Sequence, residues 1–134
     1  MSIPLTKITL HTETAIDSCH RLNNYDGKCV NLHGHTWLIQ VWIQGEDSQK
    51  DAVGILFDFG GIKQINEELD HKNISENPYF EKINPTAENI TMYILLRLNK
   101  LDPELDYRVK VYETAVLKKT WCQRQTNGFD INYL

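Results

Sequence analysis

Apolar and polar residues alternate in four segments of the chain, and this period of two predicts four β-strands. The first strand covers residues 5–14 and continues toward Ile16, and the second runs from His35 to Gly45. The third covers Tyr107 to Glu113, and the fourth covers Leu117 to Gln123. The second strand has the clearest pattern, with one apolar face formed by Trp37, Ile39, Val41 and Ile43. Its other face is also partly apolar, which indicates protein on both sides of the sheet.

Two further segments repeat their apolar residues at spacings of three and four, as amphipathic helices do. The first follows Asp58, a favourable N-cap residue, and carries Phe59, Ile62, Ile65 and Leu69. The second has Thr86 as its predicted cap and ends at Asp102 and Pro103. Its predicted buried residues are Ile90, Tyr93, Ile94, Leu98 and Leu101. Residues 70–84 form a long loop between the helices, and loops of this length are often functional.

The order strand, strand, helix, helix, strand, strand predicts one α+β domain over residues 1–134. Both helices should pack on one face of a four-stranded antiparallel sheet. Such a sheet has two open edges, and neither outer strand is rich in the Lys or Pro residues that protect an edge. We therefore expect the edges to pair between subunits of a homo-oligomer.

Composition and charge exclude several functional classes. The chain has 134 residues, of which 41% are hydrophobic and 24% charged, as in one soluble globular domain. The net charge of −4 and the lack of a Lys and Arg cluster argue against a nucleic-acid partner. The sequence contains no run of about 18 apolar residues, so it predicts no membrane span. Residues 1–14 lack the apolar segment of a signal peptide, so we expect a cytoplasmic protein without membrane partners.

The three cysteines, Cys19, Cys29 and Cys122, are too few for the disulfide framework of a small secreted fold. In the reducing cytosol they stay as thiols. Each thiol is therefore a metal ligand, a nucleophile or base, or a packing residue.

Three histidines form a candidate metal site. His33 and His35 share a face of the second strand because residues two apart point the same way. His20 ends the first strand, which would run antiparallel to the second and bring it beside the pair. Three imidazoles with a vacant fourth position form the usual catalytic zinc arrangement, although a His-x-His pair also occurs by chance. A Cys19 thiolate could close the site, but neighbouring strand residues face opposite ways, so we expect Cys19 to be a small buried residue.

Four other residues are candidates for the chemistry. Cys29 lies four residues before His33, and a thiol beside a cation becomes a usable base or nucleophile; the alternative is a packing role. Asp70 could orient His71 or share its proton, unless the two are merely solvated. Glu113 continues the inward row of its strand, where a carboxylate needs a partner such as a ligand with N–H donors; otherwise it reaches solvent.

Five motifs then occur in order along the chain: His20–Leu22, Cys29–His35, Leu69–Asn73, Pro85–Asn89 and Tyr112–Thr114. With the sequence around them, from about residue 5 to residue 121, they resemble the family of 6-pyruvoyltetrahydropterin synthases and 6-carboxytetrahydropterin synthases. The resemblance implies a tunnelling fold, in which three sheets close into a barrel and two barrels stack as a homohexamer. It also implies one zinc ion per subunit, held by His20, His33 and His35.

The same resemblance implies roles for the remaining candidates. Cys29 would be the general base, and Asp70 with His71 would form a proton relay. Glu113 would anchor a pterin ring through its N–H and amino groups. Two residues at the start of the second helix, Thr86 and Glu88, would help to hold the ring.

The spacing of the thiol motif distinguishes two branches of the family. Three residues separate Cys29 from His33, which resembles the bacterial carboxytetrahydropterin branch of queuosine biosynthesis more than the animal enzymes, whose interval is longer. The favoured activity is a zinc-dependent lyase that acts on 7,8-dihydroneopterin triphosphate and releases acetaldehyde and triphosphate. The first alternative is the pyruvoyl-forming lyase that eliminates triphosphate from the same substrate. The second is a non-catalytic module with a closed zinc site, completed by Cys19 or Cys29.

Overall fold

Two strands of 13 residues, β1 (Ile8–His20) and β2 (His33–Gly45), pair antiparallel along their whole length. The computed structural model describes residues 3–134, and in it β3 (Asp106–Tyr112) follows β2 in the sheet and β4 (Trp121–Gln125) follows β3. The spatial order β1-β2-β3-β4 is all antiparallel, so the predicted four-stranded sheet is confirmed. Its outer strands are β1 and β4.

Both helices lie on one face of this sheet, as predicted. Helix α1 (Phe59–Glu67) begins where the Asp58 carboxylate accepts a hydrogen bond from the Gly60 amide. Helix α2 (Ala87–Leu101) begins where the Thr86 hydroxyl accepts one from the Asn89 amide, which caps the helix. Their apolar stripes meet the alternating apolar residues of β2 and β3 in one core, which includes Trp37, Ile39, Val41, Ile62, Ile94, Leu98, Val109 and Val111.

The opposite face of the sheet is polar and aromatic, and the C-terminal tail crosses part of it. The Gln44 side chain is fully buried, donates to the Asp130 carbonyl at 2.7 Å and accepts from the Asp130 amide at 2.7 Å. On the same face, the rings of His11 and Trp42 stack with centroids 4.5 Å apart. The prediction of protein on both sides of the sheet is therefore correct where the tail crosses it. Within residues 3–134, no helix is both long enough and apolar enough to cross a membrane.

Several predicted boundaries were wrong. Strand β1 begins at Ile8 rather than at residue 5, and it ends at His20, as the placement of that histidine predicted. The fourth strand begins at Trp121 rather than Leu117, because Lys118 has a positive φ of 52° that interrupts the extended chain. The loop over residues 70–84 contains two 3-10 turns, Ile74–Glu76 and Pro78–Phe80.

Three predictions of burial were also wrong. Phe59 and Leu101 occupy the first and last positions of their helices, where the core no longer covers them, and they are 48% and 51% exposed. Cys19 is only half-buried, because it lies on the sheet face away from the helices, opposite Gly34.

Candidate functional site

Three imidazoles converge at one end of the sheet, on the face that carries the helices. The register of β1 and β2 places His20 directly opposite His33, and Ser18 opposite His35. Ring centroids are 4.6 Å apart for His20 and His33, 5.2 Å for His20 and His35, and 4.8 Å for His33 and His35. The predicted antiparallel pairing thus brings the three histidines together.

Backbone carbonyls orient two of these rings. His20 Nδ1 donates to the Pro85 carbonyl at 2.7 Å, and His33 Nδ1 donates to the Asn31 carbonyl at 2.8 Å. A neutral imidazole that donates from Nδ1 presents an unprotonated Nε2, which is the atom that binds a metal ion. His20 Nε2 is buried and has no hydrogen-bond partner within the described part of the chain. A buried unpaired nitrogen is costly, so a bound cation fits this position.

Burial also favours the metal-binding form of two rings. The pKa of His20 is lowered from 6.5, chiefly by burial and further by the neighbouring His33 and His35, although the bond to Pro85 opposes the shift. The pKa of His35 is lowered mainly by burial, which outweighs the opposite effect of Glu113. Metal binding requires neutral imidazoles, and these shifts keep both rings neutral at pH 7.

Glu113 brings a carboxylate to the histidines. It follows the last residue of β3 and keeps the inward parity of Val109 and Val111. Its Oε1 lies 3.1 Å from His35 Nε2, and its side chain is 39% exposed. Each of His20, His33, His35 and Glu113 offers one ligand atom, and these atoms lie within 4.8 Å of one another. This set, the histidine cluster below, includes no cysteine among the described residues, so it does not form the closed thiolate site considered above.

A cavity of about 360 Å³ opens beside the histidine cluster. It brings together most of the residues singled out from the sequence, and its lining includes His20, Cys29, His33, Thr86, Glu88 and Glu113. The rest of the lining is contributed by the loop that follows β1 and by the segment that enters α2. A thiol, two carboxylates and two imidazoles therefore share one recess.

Asp70 and His71 lie elsewhere. Asp70 Oδ1 accepts from the Asp17 amide at 2.9 Å and lies 3.0 Å from His71 Nδ1. Burial opposes ionisation of Asp70, but the bonds from Asp17 and His71 outweigh it and lower the Asp70 pKa. The His71 side chain is 78% exposed, and its backbone has a positive φ of 55°. Neither residue lines the cavity with Cys29.

A larger cavity of about 510 Å³ lies between β1 and α1. Of the predicted site residues it contains Asp70 alone, and its lining is mostly apolar. We place the candidate site in the smaller cavity because the chemically competent groups converge there.

Sequence reasoning missed several residues that organise the site. Asp17 holds the Asp70–His71 pair and belongs with them to a second group of potential ligand atoms. The alternating pattern of β1 predicts which face Asp17 lies on, but it does not predict the contact with Asp70, which is 53 positions away. Pro85 acts through its carbonyl, which every residue has, so no sequence signal marks it.

Comparison with known proteins places these features in context. The sequence profile of the family described as 6-pyruvoyl tetrahydropterin synthase matches residues 9–124. A human relative, named 6-pyruvoyl tetrahydrobiopterin synthase, is 39% identical over 97 residues, and the match spans 66% of each chain. A relative from Rickettsia bellii, named 6-carboxy-5,6,7,8-tetrahydropterin synthase, is 29% identical over 121 residues, covering 75% of this chain and 84% of the relative.

The solved structure of 6-pyruvoyl tetrahydropterin synthase from Caenorhabditis elegans is similar in fold. It aligns with a TM-score of 0.72 at 22% identity and covers 93% of this chain and 99% of that one. The predicted tunnelling fold is confirmed by this match. The two sequence relatives carry names that specify different products.

Proposed function

We propose that this chain, which belongs to the 6-pyruvoyl tetrahydropterin synthase family, is a zinc-dependent lyase acting on 7,8-dihydroneopterin triphosphate. The products are 6-carboxy-5,6,7,8-tetrahydropterin, acetaldehyde and triphosphate, and one water is consumed when the side chain is cleaved. This reaction serves queuosine biosynthesis in the cytoplasm. The family match supports the pterin substrate and the lyase class.

The observation that carries the proposal is the convergence of the histidine cluster and Cys29 on one cavity. Three converging imidazoles, two of them with Nδ1 held by backbone carbonyls, suit zinc better than a hard oxygen-preferring cation. When bound, zinc supplies a Lewis acid that acidifies the substrate's side-chain hydroxyls and polarises a developing carbonyl.

The chain's own residues supply the proton transfer and the binding. Cys29 lines the same cavity as His20 and His33, and in its thiolate form it accepts a proton from the side chain of the substrate and becomes a thiol. Glu113 accepts hydrogen bonds from the N–H and amino groups of the pterin ring, since its carboxylate is half-buried and has His35 as its neighbour.

Two residues at the entrance of α2 complete the ring pocket. Thr86 uses an oxygen lone pair to cap the helix, which leaves its hydroxyl hydrogen free to donate to the ring. Glu88 lies in the first turn and lines the same cavity, where it can accept from an amino group.

Asp70 and His71 act on the site from a second subunit. They lie at the outer strand β1, outside the cavity that holds Cys29. A relay between His71 and Cys29 therefore requires the edge-to-edge assembly predicted from the open strands. This arrangement supports a homo-oligomer, which we propose is a hexamer built from two trimers.

Product analysis tests the proposal. The zinc-loaded protein is incubated anaerobically with 7,8-dihydroneopterin triphosphate, and the pterin and any acetaldehyde are identified by mass spectrometry. We expect the 6-carboxy product with acetaldehyde, as the short Cys29–His33 interval and the Rickettsia relative favour. Protein stripped of metal by a chelator is the matched control and should be inactive.

A second outcome has its own support. The human relative has the higher identity, 39%, and its name specifies a 6-pyruvoyl product. A 6-pyruvoyl pterin without acetaldehyde would assign this chain to that reaction with the same site. No turnover in the presence of stoichiometric zinc would contradict the proposed substrate.

A further inference from the structure

Two side chains fasten the loop that carries Cys29 to the rest of the molecule: Ser75 binds Arg21 at its start, and Asn84 binds Asn23 nearer the thiol. Asn84 Oδ1 accepts from the Asn23 amide at 2.8 Å, and Asn84 Nδ2 donates to the Asn23 carbonyl at 2.9 Å. A primary amide has both a donor and an acceptor, so it satisfies both peptide groups of Asn23 at once, as a neighbouring strand would. The two residues are 61 positions apart, so these bonds join segments that are distant in sequence.

Asn84 is itself fixed to helix α2. Its carbonyl accepts from Asn89 Nδ2 at 2.8 Å, and the Asn89 amide donates to the capping hydroxyl of Thr86. The next residue, Pro85, supplies the carbonyl that orients His20. The adjacent residues Asn84 and Pro85 therefore bind two parts of the site: Asn84 binds the loop that carries Cys29, and Pro85 binds the ring of His20.

The bonds at Asn23 lie next to the point where the loop closes on Cys29. The Leu22 amide donates to the Cys29 carbonyl at 2.9 Å, which closes the loop directly beside Asn23. Between these points, residues 23–28 are exposed and have few contacts that could hold them. The cavity lining includes Asn23 and Cys29 of this loop together with Asn84, Thr86 and Glu88 of the segment that enters α2. The Asn84 bonds thus join the two segments that line the cavity.

We propose that Asn84 is a positioning residue that holds the Cys29 loop at working distance from the histidine cluster. The inference deepens the proposed function and rests on it for its catalytic consequence. The tethering of the loop itself can be measured by thiol alkylation, which does not depend on enzymatic activity. A displacement of about 1 Å in a reacting group can lower a rate by about two orders of magnitude, so a tether of this kind affects the rate strongly.

The test compares Asn84→Ala with the wild type. Both bonds lie near the surface, where water replaces them, so the variant should fold with little change in its thermal midpoint. We expect kcat to fall by about tenfold or more, while KM changes by less than about threefold and the metal content stays at one ion per chain. Asn99→Ala replaces an exposed asparagine of helix α2 that does not line the cavity, and as the matched control it should behave as wild type.

Alkylation of Cys29 by iodoacetamide at fixed pH gives a readout that is independent of activity. A released loop exposes the thiol more often, so the reaction should be about fivefold faster in Asn84→Ala, with Cys122 in the same peptide map as internal reference. Asn84→Asp keeps the acceptor for the Asn23 amide but loses the donor, and we expect an intermediate rate. It also serves as the test variant should Asn84→Ala misfold.

Each outcome bears on a different claim. Unchanged alkylation and unchanged kcat in a folded Asn84 variant would overturn the positioning role. Loss of metal along with activity would also overturn it, since Asn84 would then act through Pro85 and His20. Faster alkylation in a protein whose wild type does not turn over the pterin would support the tether and contradict the proposed function alone.

Discussion

Glu113 Oε1 lies 3.1 Å from His35 Nε2, which brings a carboxylate that follows β3 beside an imidazole of β2. The carboxylate raises the pKa of His35, yet burial of the ring outweighs it, and the net shift is downward. The ring therefore stays neutral beside an acidic group. A neutral imidazole next to a free carboxylate can serve metal and substrate together, whereas a protonated imidazole would form an ion pair and block both.

The lowered pKa values predict how the stability of the metal-free protein depends on pH. In the unfolded chain, His20 and His35 bind protons near the ordinary value of 6.5, whereas the folded chain binds them only at lower pH. The unfolded state therefore gains protons first as the pH falls, and the free energy of unfolding should decrease below about pH 6.5 until the pH passes the folded pKa values. Each extra proton contributes a slope of up to about 1.4 kcal/mol per pH unit.

Urea unfolding of chelator-treated protein between about pH 5 and pH 7.5 measures this slope. The fold also lowers the pKa values of Glu68 and Asp70 from their ordinary values of 4.5 and 3.8. These two groups therefore change the stability only at pH values below the measured range. His20→Asn removes one of the titrating rings and should flatten the curve. A flat wild-type curve, or an equal slope in the variant, would contradict the prediction.

The convergence of the three histidines could be predicted because it follows from strand periodicity. Residues two apart share a face, and antiparallel pairing aligns the end of one strand with the start of the next. These two rules are enough to bring His20 beside His33 and His35, as the register shows. The inward parity of Glu113 follows from the same rule, applied to β3.

Other features depend on contacts that leave no periodic signal. The alternation of strand residues predicts the face on which Cys19 lies, but it does not predict whether other residues cover that face. In the structure the Cys19 side chain is only half-buried. The bonds of Asn84 and Pro85 join a side chain or a carbonyl to groups more than 60 positions away. No pattern along the chain predicts such bonds. The separation of Asp70 from Cys29 likewise emerges only once the loop is folded.

Replacement of the proposed base is expected to abolish turnover without loss of the metal. Cys29 lines the cavity but contributes no atom to the histidine cluster, so Cys29→Ala should retain one zinc ion per chain. Removal of a general base lowers a rate by about 10²- to 10⁴-fold, and kcat should fall by that amount. Steady-state kinetics together with atomic absorption measures both quantities.

Cys122→Ala is the matched control for that experiment. Cys122 is also half-buried but lies in β4, opposite Val111 and outside the cavity. Its replacement should leave kcat and zinc content close to wild type. Full activity of Cys29→Ala, or zinc loss from it, would refute the role of the thiol as base.

Complementation between inactive variants tests whether the site is shared between subunits. Cys29 and His71 lie in separate parts of one chain, so each proposed site takes its thiol from one subunit and its relay from a neighbour. Cys29→Ala and His71→Ala should each be inactive alone. After the two are mixed, dissociated and reassembled, random pairing makes about a quarter of the sites whole, and activity should return to about that fraction of wild type. Light scattering should show six chains per particle. A monomer at micromolar concentration, or a mixture no more active than its parts, would show that His71 does not act across a subunit boundary.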